Sequence, residues 1–280
     1  QDKLSIGGGL TAWGGPTRYA SPGIGGIMTL DAPLYQQSTN GVNDQFIRKL
    51  SLYMKGQLGK LDYRLVLSQP MEVIGADRNA TAPTSPNFSF SNEIAEKLIL
   101  GYFKYMFLDK ESNITPYQAG TYLGTKSIFN LGVGFSHQGD ATWALNENGE
   151  TIRSSMTLFG IDLFLDKPVS ESSAITAYAA YSNTSYGDGF SRYVGVNNSA
   201  TGGTNGIPGG YGNAFPMHGN GSVLYGQLGY LFGNKIITKK GKLQPFAAMQ
   251  YGDYDRLSNS MVMYEFGANL LLEGTHNTKI

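Results

Sequence analysis

The chain has 280 residues, and its 21 Lys plus Arg are balanced by 21 Asp plus Glu, so bulk charge gives no reason to expect a nucleic-acid partner. Charged residues make up only 15% of the sequence, below the roughly one quarter usual in soluble domains, whereas Gly (38), Tyr (18) and Phe (14) are abundant. Cysteine is absent, which excludes a disulfide scaffold, a cysteine zinc site and a thiol nucleophile.

Low charge combined with a mean hydropathy of −0.22 suits a sheet that is apolar on one face and polar on the other. Apolar runs such as Leu270-Leu271-Leu272 fall far short of the ~18 residues that a membrane-crossing helix needs. The opening Gln1-Asp2-Lys3 lacks an apolar leader, as expected of a mature exported chain or of one lacking its first residues.

Period-2 alternation predicts strands along the whole chain. The first runs from Leu4 to Ala12, with Leu4, Ile6, Gly8 and Leu10 on one face. Leu50, Leu52, Met54 and Leu58 alternate with Lys49, Ser51, Lys55 and Gln57. After Gly59-Lys60, Leu61, Tyr63, Leu65 and Leu67 alternate with Asp62, Arg64 and Ser68, which predicts a tight hairpin. Further runs cover Ile99–Phe107, Phe129–Phe135, Thr157–Leu163, Ile175–Tyr181, Leu224–Phe232, Leu243–Tyr251 and Val262–Leu270, ten in all. Their length of roughly 9–12 residues is that of a tilted strand crossing a bilayer.

Connections alternate in length. Short links are expected at Gly59-Lys60, 166–172 and 233–241, and long polar ones at 14–45, 69–93, 137–150 and 183–220. Short turns at one end and long loops at the other mark an outer-membrane barrel, and a soluble sandwich would not carry so many long loops. Leu108 to Thr125 breaks the pattern, being long yet on the short-turn side, and is assigned to the periplasmic end. The loop 182–217, with nine glycines from Gly187 to Gly212, reaches outward or folds inward; sequence leaves both open. Trp13, Tyr105, Phe107, Phe135, Tyr181, Phe232 and Tyr251 lie near run ends, where a lipid-facing aromatic girdle would fall.

If the apolar alternates face lipid, then Lys49, Lys55, Asp62, Arg64, Lys104, Asp162, Gln227, Gln250, Glu265 and Asn269 point inward and are the pore-lining candidates. Parity follows from cost, since a charge facing lipid at the midplane costs about 2–4 kcal/mol and Lys104 and Asp162 lie mid-run. Four basic against three acidic residues is a mixed lining with only a trace of anion preference. Each charge can equally serve a structural salt bridge.

No catalytic or metal constellation emerges. His137, His218 and His276 are isolated and expected in loops or turns. His137 or His218 with Ser136 or Asp140 is the arrangement a barrel enzyme would use, and solvated histidines are the plainer expectation. Asp140 and Asp253-Tyr254-Asp255 offer oxygen ligands for Ca²⁺, with an ordinary solvated loop preferred. Gly7-Gly8-Gly9 and Gly202-Gly203 lack the helix and Lys-Ser/Thr of a phosphate loop.

Several phrases resemble the outer-membrane porins of the Bacteroidetes, related to the phosphate-selective porin O/P set. They are Thr121-Tyr122-Leu123-Gly124-Thr125-Lys126 leading into Phe129 to Phe135, Gly160 to Asp166 followed by Ala174 to Tyr181, Gly219 to Tyr230 (GNGSVLYGQLGY), Leu243 to Ala247, and Gly267 to Leu270 with His276 to Ile280. The similarity covers most of the chain from about Ile99 onward. It implies further strands before Gln1 and after Lys279-Ile280, hence a transmembrane antiparallel up-and-down β-barrel of about sixteen strands, with 1–280 as one incomplete outer-membrane domain.

The expectation is an all-β porin: an aqueous channel in the bacterial outer membrane passing small hydrophilic solutes or ions, weakly selective, with no enzymatic step and no cofactor. Its surroundings would be lipid and lipopolysaccharide, as a homotrimer or in a larger outer-membrane complex. The rivals are a non-conducting barrel subunit of such a complex, a barrel enzyme, and a soluble all-β binding protein.

Overall fold

The computed structural model describes residues 3–30, 32–36, 49–69, 83–91, 96–195, 198–201, 215–233 and 241–280. In chain order the strands are β1 (Ser5–Thr11), β2 (Lys49–Leu58), β3 (Leu61–Ser68), β4 (Ser89–Phe90), β5 (Leu98–Met106), β6 (Ile128–Leu145), β7 (Thr151–Pro168), β8 (Ala174–Ser185), β9 (Ser191–Gly195), β10 (Asn198–Thr201), β11 (Phe215–Gly219), β12 (Gly221–Leu231), β13 (Lys242–Tyr254) and β14 (Met261–Leu271). Helical structure among the described residues is limited to 3-10 turns at Arg18–Ala20, Ile24–Gly26 and Leu34–Gln36.

Eleven strands form one antiparallel up-and-down sheet in the order β1-β2-β3-β5-β6-β7-β8-β12-β13-β14, with β4 attached to β6. Each of the ten runs of alternation falls on one strand of this path. The sheet is not closed: β1 and β14 are its two edges. Beyond β14 the chain turns back, and Leu270 and Ile280 exchange backbone hydrogen bonds of 2.7 and 3.0 Å.

Local chemistry sets the turns. Gly59, at φ +60°, occupies the first position of the two-residue β2–β3 turn, where an L side chain would be strained. The β6–β7 turn is closed by Asn146, whose Oδ1 accepts from the amides of Asn148 (2.9 Å) and Glu150 (2.8 Å).

Two connections differ from expectation. The stretch 137–150 is not a long loop, because β6 continues to Leu145 past a bulge between Gln138 and Thr142, with Asp140 at φ +48°. The β6–β7 hairpin thereby reaches 18 residues a side, about 60 Å, and stands well beyond its neighbours. Its projecting part is braced by β4 and by packing among Phe88, Phe90, Tyr186 and Phe190. The loop 182–217 carries β9, β10 and part of β11, a small separate sheet; residues 196–197 and 202–214 lie outside the described residues.

Sequence parity becomes two faces. On one, apolar side chains line up through the strand register in a row of Tyr63, Phe103, Val133, Ile161, Tyr181, Leu224, Tyr251 and Val262. The next row is Leu61, Tyr105, Leu131, Leu163, Ala179, Gly226, Met249 and Tyr264. This face is open, with Ile161 38% and Phe266 76% exposed. The opposite face carries the polar alternates and is covered, so most of its members are buried, while Lys55 near one edge and Glu265 near the other are half-buried. Trp13 departs from the girdle expectation: it is 6% exposed and packs against Tyr53 on the covered side, where its parity with Ser5 and Thr11 sets it.

Candidate functional site

The covered face is filled by two segments of the chain entering from opposite ends. The first follows β1 and spans 12–30 and 32–36, and the second is the connection 107–127. The anomalous long link on the short-turn side is therefore not a projecting loop. It folds back over the sheet, and Glu111, Asn113, Gln118 and Thr121 are buried. The segments meet mid-face, where Gly23 N donates to Gln118 O (2.7 Å) and Gln118 N to Ser21 O (2.8 Å).

The wall is shaped for them. A Cβ on Gly134 would lie 2.5 Å from Pro16 O, and one on Gly160 would meet Thr17 Cγ2 and Pro16 O, so only glycine lets the first segment approach β6 and β7 this closely.

At the centre, Glu111 receives the Arg18 guanidinium through Nη2 to Oε1 (2.5 Å) and Nη1 to Oε2 (3.0 Å). It also accepts from Lys104 Nζ (2.9 Å), Tyr122 OH (2.8 Å) and Asn130 Nδ2. Arg18, Lys104 and Glu111 are each no more than 2% exposed. Burial pushes the Glu111 carboxyl up, but Arg18 and then Lys104 outweigh it and hold it well below the usual carboxylate range. The Arg18 guanidinium also lies 3.6 Å from the Phe164 ring centroid.

Two aspartates on β7 anchor the segments. Asp162 accepts from the Arg18 amide (2.7 Å) and from Tyr102 OH (3.0 and 3.1 Å). Asp166 accepts from Thr121 Oγ1 (2.8 Å), Thr176 Oγ1 (2.8 Å) and the amides of Tyr122 (2.9 Å) and Gly124 (3.2 Å).

All ten residues singled out from the sequence lie on the covered face. Asp62, Lys104, Asp162 and Gln250 share one inter-strand row. Asp62 holds Arg64 Nε (3.2 Å) and Gln57 Nε2 (2.9 Å), while Arg64 Nη1 donates to Pro116 O (3.1 Å). Lys55 Nζ donates to the carbonyls of Asn113 (2.6 Å) and Ile114 (2.7 Å). The far strands grip the first segment: Gln227 Nε2 donates to Tyr19 OH (2.6 Å), Gln250 Oε1 accepts from Tyr35 N (3.4 Å), Glu265 Oε1 from Leu30 N (3.2 Å), and Asn269 Nδ2 donates to Met28 O (2.9 Å). Lys49 is buried at the end of β2 beside a small cavity.

Sequence reasoning missed Arg18, Glu111, Asp166, Tyr102 and Asn130. The readable signal was that Tyr19, Ile27, Met28, Leu34 and Tyr35 make 14–45 too apolar for a solvated loop.

The histidines are not all in loops, as they were expected to be. His137 lies on β6 with Nδ1 2.9 Å from Thr157 Oγ1, and His218 on β11 with Nε2 2.8 Å from Tyr186 OH. His276 Nε2 lies 3.1 Å from Thr121 O. Among the described residues, no three His, Asp or Glu side chains gather as a metal site would require.

No family model, curated protein or solved structure matches the chain. The functional reading therefore rests on the two faces and on what fills one of them.

Proposed function

We propose that this chain forms part of the wall of an outer-membrane β-barrel whose interior passes small hydrophilic solutes or ions with weak selectivity. The observation that carries the reading is the pair of unbroken apolar rows across eight strands, opposite a covered face that carries the polar alternates. Leaving a Leu, Ile or Phe side chain in water forgoes about 1.5–3 kcal/mol, so a face of this extent forgoes tens of kcal/mol. Net domain stability is about 5–15 kcal/mol, and acyl chains are the partner that offsets such a term across a whole sheet.

Lipid also demands that both sheet edges be paired, so the reading requires further strands between β14 and β1, in a barrel of about sixteen. The phrases resembling Bacteroidetes porins agree with this. Most inward charges engage one another or the chain's own backbone, which leaves little net field and supports weak rather than strong ion preference. The surroundings would be lipid and lipopolysaccharide.

One observation favours a second reading. The two inward segments fill the covered face, as a plugged barrel serving in a larger outer-membrane assembly would need. Planar-bilayer recording of the purified protein under a salt gradient separates the two. Stable unitary conductance with a reversal potential near zero supports the weakly selective channel, and a silent bilayer with verified insertion supports the plugged subunit.

A further inference from the structure

The apolar rows of the open face do not all reach equally far across the sheet. At the long-connection end, the row of Leu10 and Leu50 is apolar on β1 and β2 and then meets Gln69 and Lys97. The row below it stays apolar through Leu52, Leu67 and Ile99 and turns polar at His137 and Thr157. The next is apolar as far as Phe135 and Phe159, on β6 and β7, and continues as Asn183, Ser222 and Asp253. Below that, the row from Tyr63 to Val262 is apolar all the way to β14.

The border at the short-turn end falls in the same direction. The last apolar residues of β2 and β3 are Leu58 and Leu61. Phe107, Phe129 and Leu165 lie one row further, with Asp109, Ser127 and Lys167 outside them. Phe232, Leu243 and Leu270, on or next to β12, β13 and β14, lie two rows beyond that.

Both borders therefore drop three rows, or six residues, over the eight strand steps from β2 to β14. The apolar stretch is nine residues long at either side, 50–58 on β2 and 262–270 on β14. With a rise of ~3.4 Å per residue and ~4.8 Å between strands, the borders cut the rows at about 30° and stand about 24 Å apart. A neighbour seated along the hydrogen-bond register would leave an edge that follows one row. Two parallel borders that cross the rows at constant separation are what a flat slab leaves on leaning strands, and about 25 Å is the height of the apolar band on an outer-membrane barrel.

We infer that these borders mark the two surfaces of one bilayer, with the strands leaning about 30° from its normal. Leu50 and Val262 lie at one surface, Leu58 and Leu270 at the other. The inference rests on the lipid reading of the open face and adds what that reading leaves open, the depth of each residue. It puts the ends of β6 and β7 beyond Phe135 and Phe159, together with β4, in the water outside the membrane. It also separates residues that share a row: Val133 lies about 10 Å deeper than Val262, a third of a hydrocarbon core of ~30 Å.

Single cysteines at Leu50, Val133 and Val262, in a chain with none of its own, carry a bimane fluorophore in the purified protein. The labelled proteins are reconstituted in phosphatidylcholine vesicles brominated either near the headgroups or near the chain ends. The expected result is that the chain-end bromines quench Val133 most, while the headgroup-level bromines quench Leu50 and Val262 most and to the same degree, although those two lie three rows apart. Equal depth at Val133 and Val262, with Leu50 unquenched, means that the rows run level with the membrane, and it overturns the inference while leaving lipid contact intact. No quenching by either lipid at any of the three sites overturns the lipid reading and this inference with it. Should Val262→Cys fail to fold, Tyr251→Cys, on the same border, takes its place.

Discussion

Replacing Glu111 by Ala removes one carboxylate and leaves two buried cations, Arg18 and Lys104, facing each other's field. Arg18 keeps hydrogen bonds from Nε (3.0 Å) and Nη2 (2.7 Å) to Ala119 O, and Lys104 keeps Gln118 Oε1 at 3.2 Å, but neither retains an anion. Breaking a buried pair in this way costs about 3–5 kcal/mol, a large share of a typical domain stability of about 5–15 kcal/mol. Glu111→Gln keeps the volume and an acceptor and should cost about 2–3 kcal/mol. Urea unfolding of the protein in detergent micelles measures both, with the exposed Glu147→Ala as a control expected within about 0.5 kcal/mol of wild type. Hydrogen exchange adds the location: protection should fall over 16–28 and 109–124 before it falls in the strands. Glu111→Ala indistinguishable from Glu147→Ala would refute the view that this carboxylate holds the two segments together.

Acid should loosen the same centre. The folded Glu111 carboxyl titrates below its unfolded value of about 4.3, so the unfolded chain takes up the proton first and stability falls as pH drops below that value; a flat urea midpoint there would contradict it. His276 acts in a higher window. Burial pushes its imidazole down, so stability should already decline as pH falls below about 6.5, and His276→Asn should remove that first phase. Gly160→Val places a branched side chain where Pro16 and Thr17 sit; it should cost about 1–3 kcal/mol by unfolding and raise protease cleavage within 12–30. Ile161→Lys, on the open face, should cost about 2–4 kcal/mol when folding is measured into bilayers, whereas a near-zero cost would argue against lipid contact.

The strands were legible because alternation is a local property. Leu50, Leu52, Lys49 and Ser51 state their faces within four residues, and the register then carries Asp62, Lys104 and Asp162 into one row without further information. What fills the covered face was not legible. Residues 12–30 and 32–36 have neither period, and their placement depends on Asp162, Gln250 and Glu265, which lie more than a hundred residues away in sequence. Glu111 reads as one acidic residue in a polar connection until Arg18 and Lys104 are seen on either side of it. The bulge at Asp140 hid the upper half of β6, since two extra residues disrupt the alternation that announced the strand. Trp13 was misassigned because its nearness to a run end was given more weight than its parity, which already sets it with Ser5 and Thr11 opposite Leu4, Ile6 and Leu10.

The central claim is that the open face meets acyl chains, and a nitroxide scan along β7 tests it most directly. Because the chain has no cysteine, single cysteines at 157–165 can be labelled one at a time without background. In reconstituted bilayers, collision with dissolved oxygen should be high at Phe159, Ile161 and Leu163 and low at Gly160, Asp162 and Phe164, with a period of two residues. Uniformly low oxygen collision with high exposure to a water-soluble nickel complex at 159, 161 and 163 would mean that this face is wet, and the channel wall would not be what these strands build.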